Sequence, residues 1–131
     1  MDRLTIHEML AQARRRLRRL KPAAASDAVD EGATLIDIRQ HTQIARDGTI
    51  PGALLIHRNV LEWRLDPTSD AHDPHAPGLD DQVIVFCDEG YTSSLAAASL
   101  QDLGFSRATD VDGGFQAWRA AGLPVTPPSE T

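Results

Sequence analysis

Cysteine occurs once in these 131 residues, aromatic residues make up 5% of them, and no apolar run approaches the length of a membrane span. Each scarcity excludes something. A single thiol cannot close an internal disulfide, which fits a reducing compartment. Without a Cys-x-x-Cys pair or a second thiolate, structural zinc is excluded as well. The N-terminus has no apolar core of a signal peptide, so no membrane partner and a cytoplasmic location are expected.

What is present is the profile of a globular domain, with 41% hydrophobic and 24% charged residues. A chain of this length holds one hydrophobic core rather than two. The formal charge of -6 is unevenly spread. Residues 1–21 carry Arg3, Arg14, Arg15, Arg16, Arg18, Arg19 and Lys21 against Asp2 and Glu8, a net of +5, which leaves -11 for the rest. The run ARRRLRRLK invites a nucleic-acid reading. No aromatic residue interleaves it, and the acidic remainder repels phosphate, so no nucleic-acid partner is expected. The run reads as a solvated helix face, with docking on the acidic body of its own domain or of a neighbouring subunit as its second use.

Thr5-Ile6-His7-Glu8 has the form of a capping box, and apolar residues then recur at helical spacing, predicting a helix over 5–17. Pro22 stops it, and a short helix follows that closes at Gly32. ATLIDI is the first strand, apolar on both faces apart from Asp37, as a buried parallel strand is. A loop over 39–49 leads to a short strand at 53–56, then a brief helical turn over 57–65. DPTSDAHDPHAPGLDD is a surface loop by composition. Val83 to Phe86 is a continuous apolar run, after which Ser93 or Ser94 is expected to cap a helix ending near Gly104. RATDV predicts a last strand and GGFQAWRAAG a last helix. Strands alternating with helices give an α/β domain whose central sheet is mainly parallel and flanked by helices.

The lone Cys87 stands directly between the Val83–Phe86 strand and the following helix, in FCDEGYTSS. That is the C-terminal edge of a parallel sheet, where open α/β folds bind ligands. Backbone N–H groups of Asp88 to Ser93 can curl into an anion-binding nest there, and the helix N-terminus adds its positive end. Gly90 permits backbone conformations closed to other residues. Tyr91, Thr92, Ser93 and Ser94 add hydroxyls. A small buried apolar cysteine is the plainer reading of any lone thiol, but this position argues against it.

CDEGYTSS resembles the active-site loop of the rhodanese-type sulfurtransferases. LIDIR at 35–39, GTIPGALLI at 48–56 and GFSRATDVDGGFQAW at 104–118 are similar to further stretches of that family, in the family's order. The resemblance spans residues 22–125 and is to the stand-alone, single-domain form. It leaves 1–21 as a basic helical extension, expected to be dispensable for the chemistry, and 126–131 as a flexible tail.

The resemblance implies sulfur transfer through a persulfide. Cys87 takes a sulfane sulfur from a donor such as thiosulfate, polysulfide or a persulfide and passes it to cyanide, a thiol or a protein thiolate. No cofactor and no metal are needed, because loop N–H groups and hydroxyls hold the charged terminal sulfur. The implied ligands of the substrate are Asp88, Glu89, Gly90, Tyr91, Thr92 and Ser93, with Arg39 and Arg58 as cations; Arg64 is a further one. The alternative is a non-catalytic persulfide carrier or thiol sensor acting on a partner protein. Some phosphatases share the fold, but their loop carries an arginine, and Asp88 to Ser93 has no basic residue.

Several residues remain to be placed. Asp88 and Glu89 oppose an anionic donor unless their side chains turn to solvent. Asp37 is expected to order neighbouring loops rather than react. Tyr91 lines the pocket mouth, and Trp63 belongs either there or in the core. His72-Asp73-Pro74-His75 lacks the further ligands a metal requires, and Gly113-Gly114 is explained by close packing of a helix on the sheet.

Overall fold

Side-chain alternation along four short strands sets the architecture. In the computed structural model, which describes residues 2–129, β1 Thr34–Asp37, β2 Leu54–Leu55, β3 Val83–Phe86 and β4 Ala108–Asp110 run parallel. Their order in the sheet is β2-β1-β3-β4. Residues 36, 83, 85 and 108 turn to one face, where they pack with Leu61, Leu65, Ala96, Leu100 and Phe105. Residues 35, 84 and 86 turn to the other, against Ala25, Val111, Phe115 and Trp118. Each fully buried large apolar side chain contributes about 1.5–3 kcal/mol, so a core on both faces is what holds so small a sheet together.

The helices around the sheet are α1 Ile6–Arg15, α2 Pro22–Asp30, α3 His41–Asp47, α4 Leu61–Leu65, α5 Thr92–Asp102 and α6 Gly114–Ala120. Helix α1 starts at a complete capping box between Thr5 and Glu8 and packs on α5. Pro22 is the first residue of α2, where its missing N–H costs nothing.

Three local expectations need correction. The segment 39–49 contains α3 rather than a loop; Gln40 donates its N–H to Gln43 Oε1 at 3.0 Å, and α3 buries no residue, so no apolar stripe announces it. Ser93 and Ser94 lie inside α5 and do not cap it; Tyr91 is the N-cap residue. The tail is tied down at its start, because Thr126 and Thr49 exchange backbone hydrogen bonds at 2.7 and 2.9 Å. Glu130 and Thr131 lie outside the described residues.

From β1 the chain goes outward to the edge strand β2 and then returns past β1 to β3. The order therefore reverses between β1 and β3. Segments leaving the C-terminal ends of these two strands diverge and leave a crevice, and the residues beyond Asp37 and Phe86 line it.

Candidate active site

Period-two alternation in β3 directs Cys87 to the same side as Val83 and Val85, toward α5. The thiol is free and 5% exposed. Beyond it the chain turns sharply, with Gly90 at φ 88°, and the Gly90 N–H donates to Cys87 Sγ at 3.2 Å. Only glycine fits that position. A Cβ there would stand 2.8 Å from Gly113 N and 3.2 Å from Arg19 Nη2.

The base of the loop is pinned from the opposite side by α6. Phe115 N–H donates to the Cys87 carbonyl at 2.9 Å and Gln116 N–H to that of Asp88 at 3.1 Å. These first-turn donors have no partner within their own helix, so the loop satisfies them. Gly114 makes the approach possible, since a Cβ would lie 2.5 Å from the Cys87 carbonyl oxygen. The Gly113-Gly114 pair is thus a packing device directly under the thiol.

A cleft of about 460 Å³ opens in front of the sulfur, lined by Ile38, Arg39, Gln40, Gln43, Arg58, Cys87, Asp88, Glu89, Tyr91 and Thr92. Another of about 420 Å³, between Arg16, Arg18 and the β4 edge, contains no thiol. The residues expected at the site divide sharply. Thr92 and the half-exposed Arg58 line the cleft, Arg58 in an ion pair with Glu62 at 3.0 Å. Burial pushes the Glu62 carboxyl up, but a hydrogen bond from Ser99 and the Arg58 cation together bring it below its ordinary value. Tyr91 is exposed beside the cleft, with the Arg14 guanidinium 5.7 Å from its ring centre.

The Arg39 guanidinium is committed elsewhere. The side chain is fully buried, donating to Asp37 Oδ2 at 2.7 Å and to the Gly48 carbonyl at 2.8 Å. The guanidinium lies 3.9 Å from the Phe115 ring centre, and Nη1 has no hydrogen-bond acceptor, so the aromatic face is its compensation. Asp37 also accepts the Arg39 N–H, ordering the segment that follows β1.

Ser93, also expected at the site, does not line the cleft. It is completely buried and its hydroxyl donates to Asp110 Oδ2 at 2.7 Å. The Gly90 carbonyl is likewise engaged, by two arginines. The Asp88 carboxylate accepts Gln116 Nε2 at 3.0 Å and lies 3.7 Å from Arg46. Glu89 is exposed and makes no hydrogen bond or ion pair among the described residues. Trp63 is 62% exposed, neither core nor cleft, and Arg64 is turned to Asp73 at 2.8 Å. Among the described residues no group of three or more His, Cys, Asp or Glu is disposed to hold a metal ion. Among the described residues no helix is long and apolar enough to cross a membrane.

The sequence reading missed two sets of residues. Gln40 and Gln43 follow β1 at the same sheet edge as the thiol, and the crevice rule points to them once the strand order is known. Arg14 and Arg19 carry no local signal. Each donates through Nη2 to the Gly90 carbonyl, at 2.8 and 2.9 Å. The basic run therefore docks on its own domain, also through Arg16 to Asp102 at 2.5 Å.

The Rhodanese-like domain family model matches residues 21–121. This chain is a member of the rhodanese-like family. It is 37% identical over 116 residues to the thiosulfate sulfurtransferase GlpE of Ectopseudomonas mendocina, covering 87% of this chain and 91% of that protein. A Rhodopseudomonas palustris structure of unknown function, described as a possible tyrosine phosphatase, superposes with TM-score 0.87 at 34% identity, covering 96% of this chain and 97% of that one. The polysulfide-sulfur transferase homodimer of Wolinella succinogenes shares the fold, with TM-score 0.71 at 22% identity over 93% and 87% of the two chains. In this rhodanese-like protein Cys87 and its whole loop fall inside the family match, whereas Arg14 and Arg19 fall outside it.

Proposed function

We propose that this rhodanese-like protein is a sulfurtransferase that carries a sulfane sulfur from donor to acceptor as a persulfide on Cys87. The observation that carries the reading is the Gly90 N–H aimed at Sγ, in a loop with no room for a larger residue, at the floor of an open cleft. A donor N–H at this place is worth most when the sulfur bears negative charge, as both the thiolate and the persulfide do. The relatives named sulfurtransferases support the same class.

With thiosulfate as donor, the Cys87 thiolate attacks the sulfane sulfur. A new S–S bond forms at Cys87, the donor's S–S bond breaks, and its electron pair leaves with sulfite. The persulfide anion then meets a nucleophile such as cyanide or a thiolate, which attacks the terminal sulfur. The Cys87 S–S bond breaks, returning the pair to the thiolate. No proton moves in either step, so no side chain need act as general base. The lone thiol suits a reducing compartment such as the cytoplasm.

Phosphate-ester hydrolysis finds less support. A phosphate dianion calls for a cationic donor beside the thiolate. The loop from Asp88 to Ser93 supplies none, and the Arg39 guanidinium is committed to Asp37. The test is thiocyanate production from thiosulfate and cyanide. Wild type should turn over and Cys87→Ser should not; equal rates from both would remove Cys87 from the reaction.

A further inference from the structure

Taking the sulfurtransferase reading as given, we propose that Arg14 and Arg19 position the Cys87 loop for reaction, making the segment ahead of the family-matched domain a working part of the site. Gly90 turns two ways at once. Its N–H is on Sγ at 3.2 Å, and its carbonyl accepts Arg14 Nη2 at 2.8 Å and Arg19 Nη2 at 2.9 Å. At φ 88° and without a side chain, Gly90 is held by its close-packed backbone and by what binds its carbonyl. Two charged donors fix the direction of that carbonyl, and charge-assisted bonds of this kind are about twice as strong as neutral ones.

The arginines are themselves held. Arg14 Nε donates to Ser94 Oγ at 3.1 Å. Arg19 donates to Asp110 at 2.9 and 3.2 Å and to Asp112 at 3.1 Å. Asp110 is wholly buried and also accepts the Ser93 and Ser94 hydroxyls, at 2.7 and 2.8 Å. One network thus joins the N-terminal segment, the end of β4 and the first turn of α5 to a single carbonyl of the thiol loop.

The pair also brings positive charge to an acidic loop. The charged groups around the sulfur are Asp88 and Glu89 of its own loop, Arg58 across the cleft, and Arg14 and Arg19 from the N-terminal side. Burial works against the Arg19 charge, but Asp110, Asp112 and the Cys87 sulfur together hold its pKa above the ordinary arginine value. Arg19 therefore stands beside the loop as a lasting positive charge. These arginines are positioning residues: they act on the sulfur through Gly90 and through the field, without touching a substrate.

The test uses the full chain and two readouts. Alkylation of Cys87 by iodoacetamide across pH needs no sulfur transfer; thiosulfate-to-cyanide kinetics does. Arg14→Gln should slow alkylation at neutral pH about three- to tenfold and move its midpoint up by roughly half a pH unit, as loss of a nearby cation does. Its loss in sulfur transfer should fall on kcat more than on KM. Arg14→Lys, which keeps the charge, should restore the midpoint. Arg19→Gln paired with Asp110→Asn should act in the same direction as Arg14→Gln. If that pair fails to fold, the two Arg14 variants decide, because the Arg19–Asp110 pair stays intact in them. A folded Arg14→Gln protein with the wild-type profile and kcat, or one changed only in melting temperature, overturns the proposal. Variants that shift as expected in alkylation, in a protein that transfers no sulfur even as wild type, uphold the positioning of Cys87 and overturn the sulfurtransferase reading instead.

Discussion

Gly90 donates its N–H to Cys87 Sγ at 3.2 Å from a backbone conformation with φ 88°, in a space where a Cβ would collide with Gly113 N at 2.8 Å. The thiol and this glycine form one unit. Gly90→Ala therefore meets both a positive φ and a backbone clash. It should cost at least about 1–2 kcal/mol of stability, from the conformational term alone. Chemical denaturation measures that loss, and sulfur-transfer rates on the folded variant should drop at least tenfold, by about 1.4 kcal/mol in the barrier. Wild-type stability and rate together in Gly90→Ala would contradict this geometry.

The Arg39 guanidinium is stacked on Phe115 and paired to Asp37 in full burial, which assigns it to stability rather than to the donor. Arg39→Gln leaves the buried Asp37 carboxylate without its cation and should cost about 3–5 kcal/mol. Where the variant remains folded, the KM for thiosulfate should be close to that of wild type. A variant of full stability with a raised KM would return Arg39 to the cleft.

Below the loop, Asp47 is the acid with the clearest titration. A hydrogen bond from Arg46, opposed by burial and aided by Gln116, brings its pKa from 3.8 to about 2. A depressed folded pKa means stability that is fully present above 3.8 and lost as pH falls through about 2. Asp47→Asn should accordingly lower the melting temperature at neutral pH, and the difference from wild type should close as pH approaches 2. A constant difference across that range would show that the charge of Asp47 plays no part.

Donor preference should depend on Glu89 more than on Asp88. Asp88 is engaged by Gln116 and lies near Arg46, whereas Glu89 faces the cleft without a partner among the described residues. Glu89→Gln should raise kcat/KM for dianionic thiosulfate about three- to tenfold at low salt and less at high salt, through relieved repulsion. A low-molecular-weight persulfide of smaller charge should gain little. Arg58→Gln should move the ratio the opposite way. Identical donor ratios in all three proteins would show that neither side chain is felt by the donor.

Much of this was legible in the sequence, for physical reasons that differ by element. VIVF reads as a buried strand because it is apolar on both faces, and that fixes where the chain delivers Cys87. Thr5 and Glu8 announce the start of α1 because a capping box is local. Helix α3 is hidden because it buries no side chain. Arg39 misleads because position along the chain puts it at the site edge while its side chain turns back into the core. The reach of Arg14 to Gly90 spans 76 residues, and no local pattern encodes it. Ser93 shows the same limit: a hydroxyl beside a thiol in sequence bonds to a carboxylate from β4 instead.

The most direct test of the account is intact mass after a brief exposure to thiosulfate or polysulfide, followed by removal of the donor. Wild type should gain the mass of a single sulfur atom, lose it on adding cyanide with thiocyanate released in equal amount, and Cys87→Ser should gain nothing. An adduct that persists in Cys87→Ser, or a wild-type protein that stays unmodified with both donors, would contradict a persulfide on Cys87.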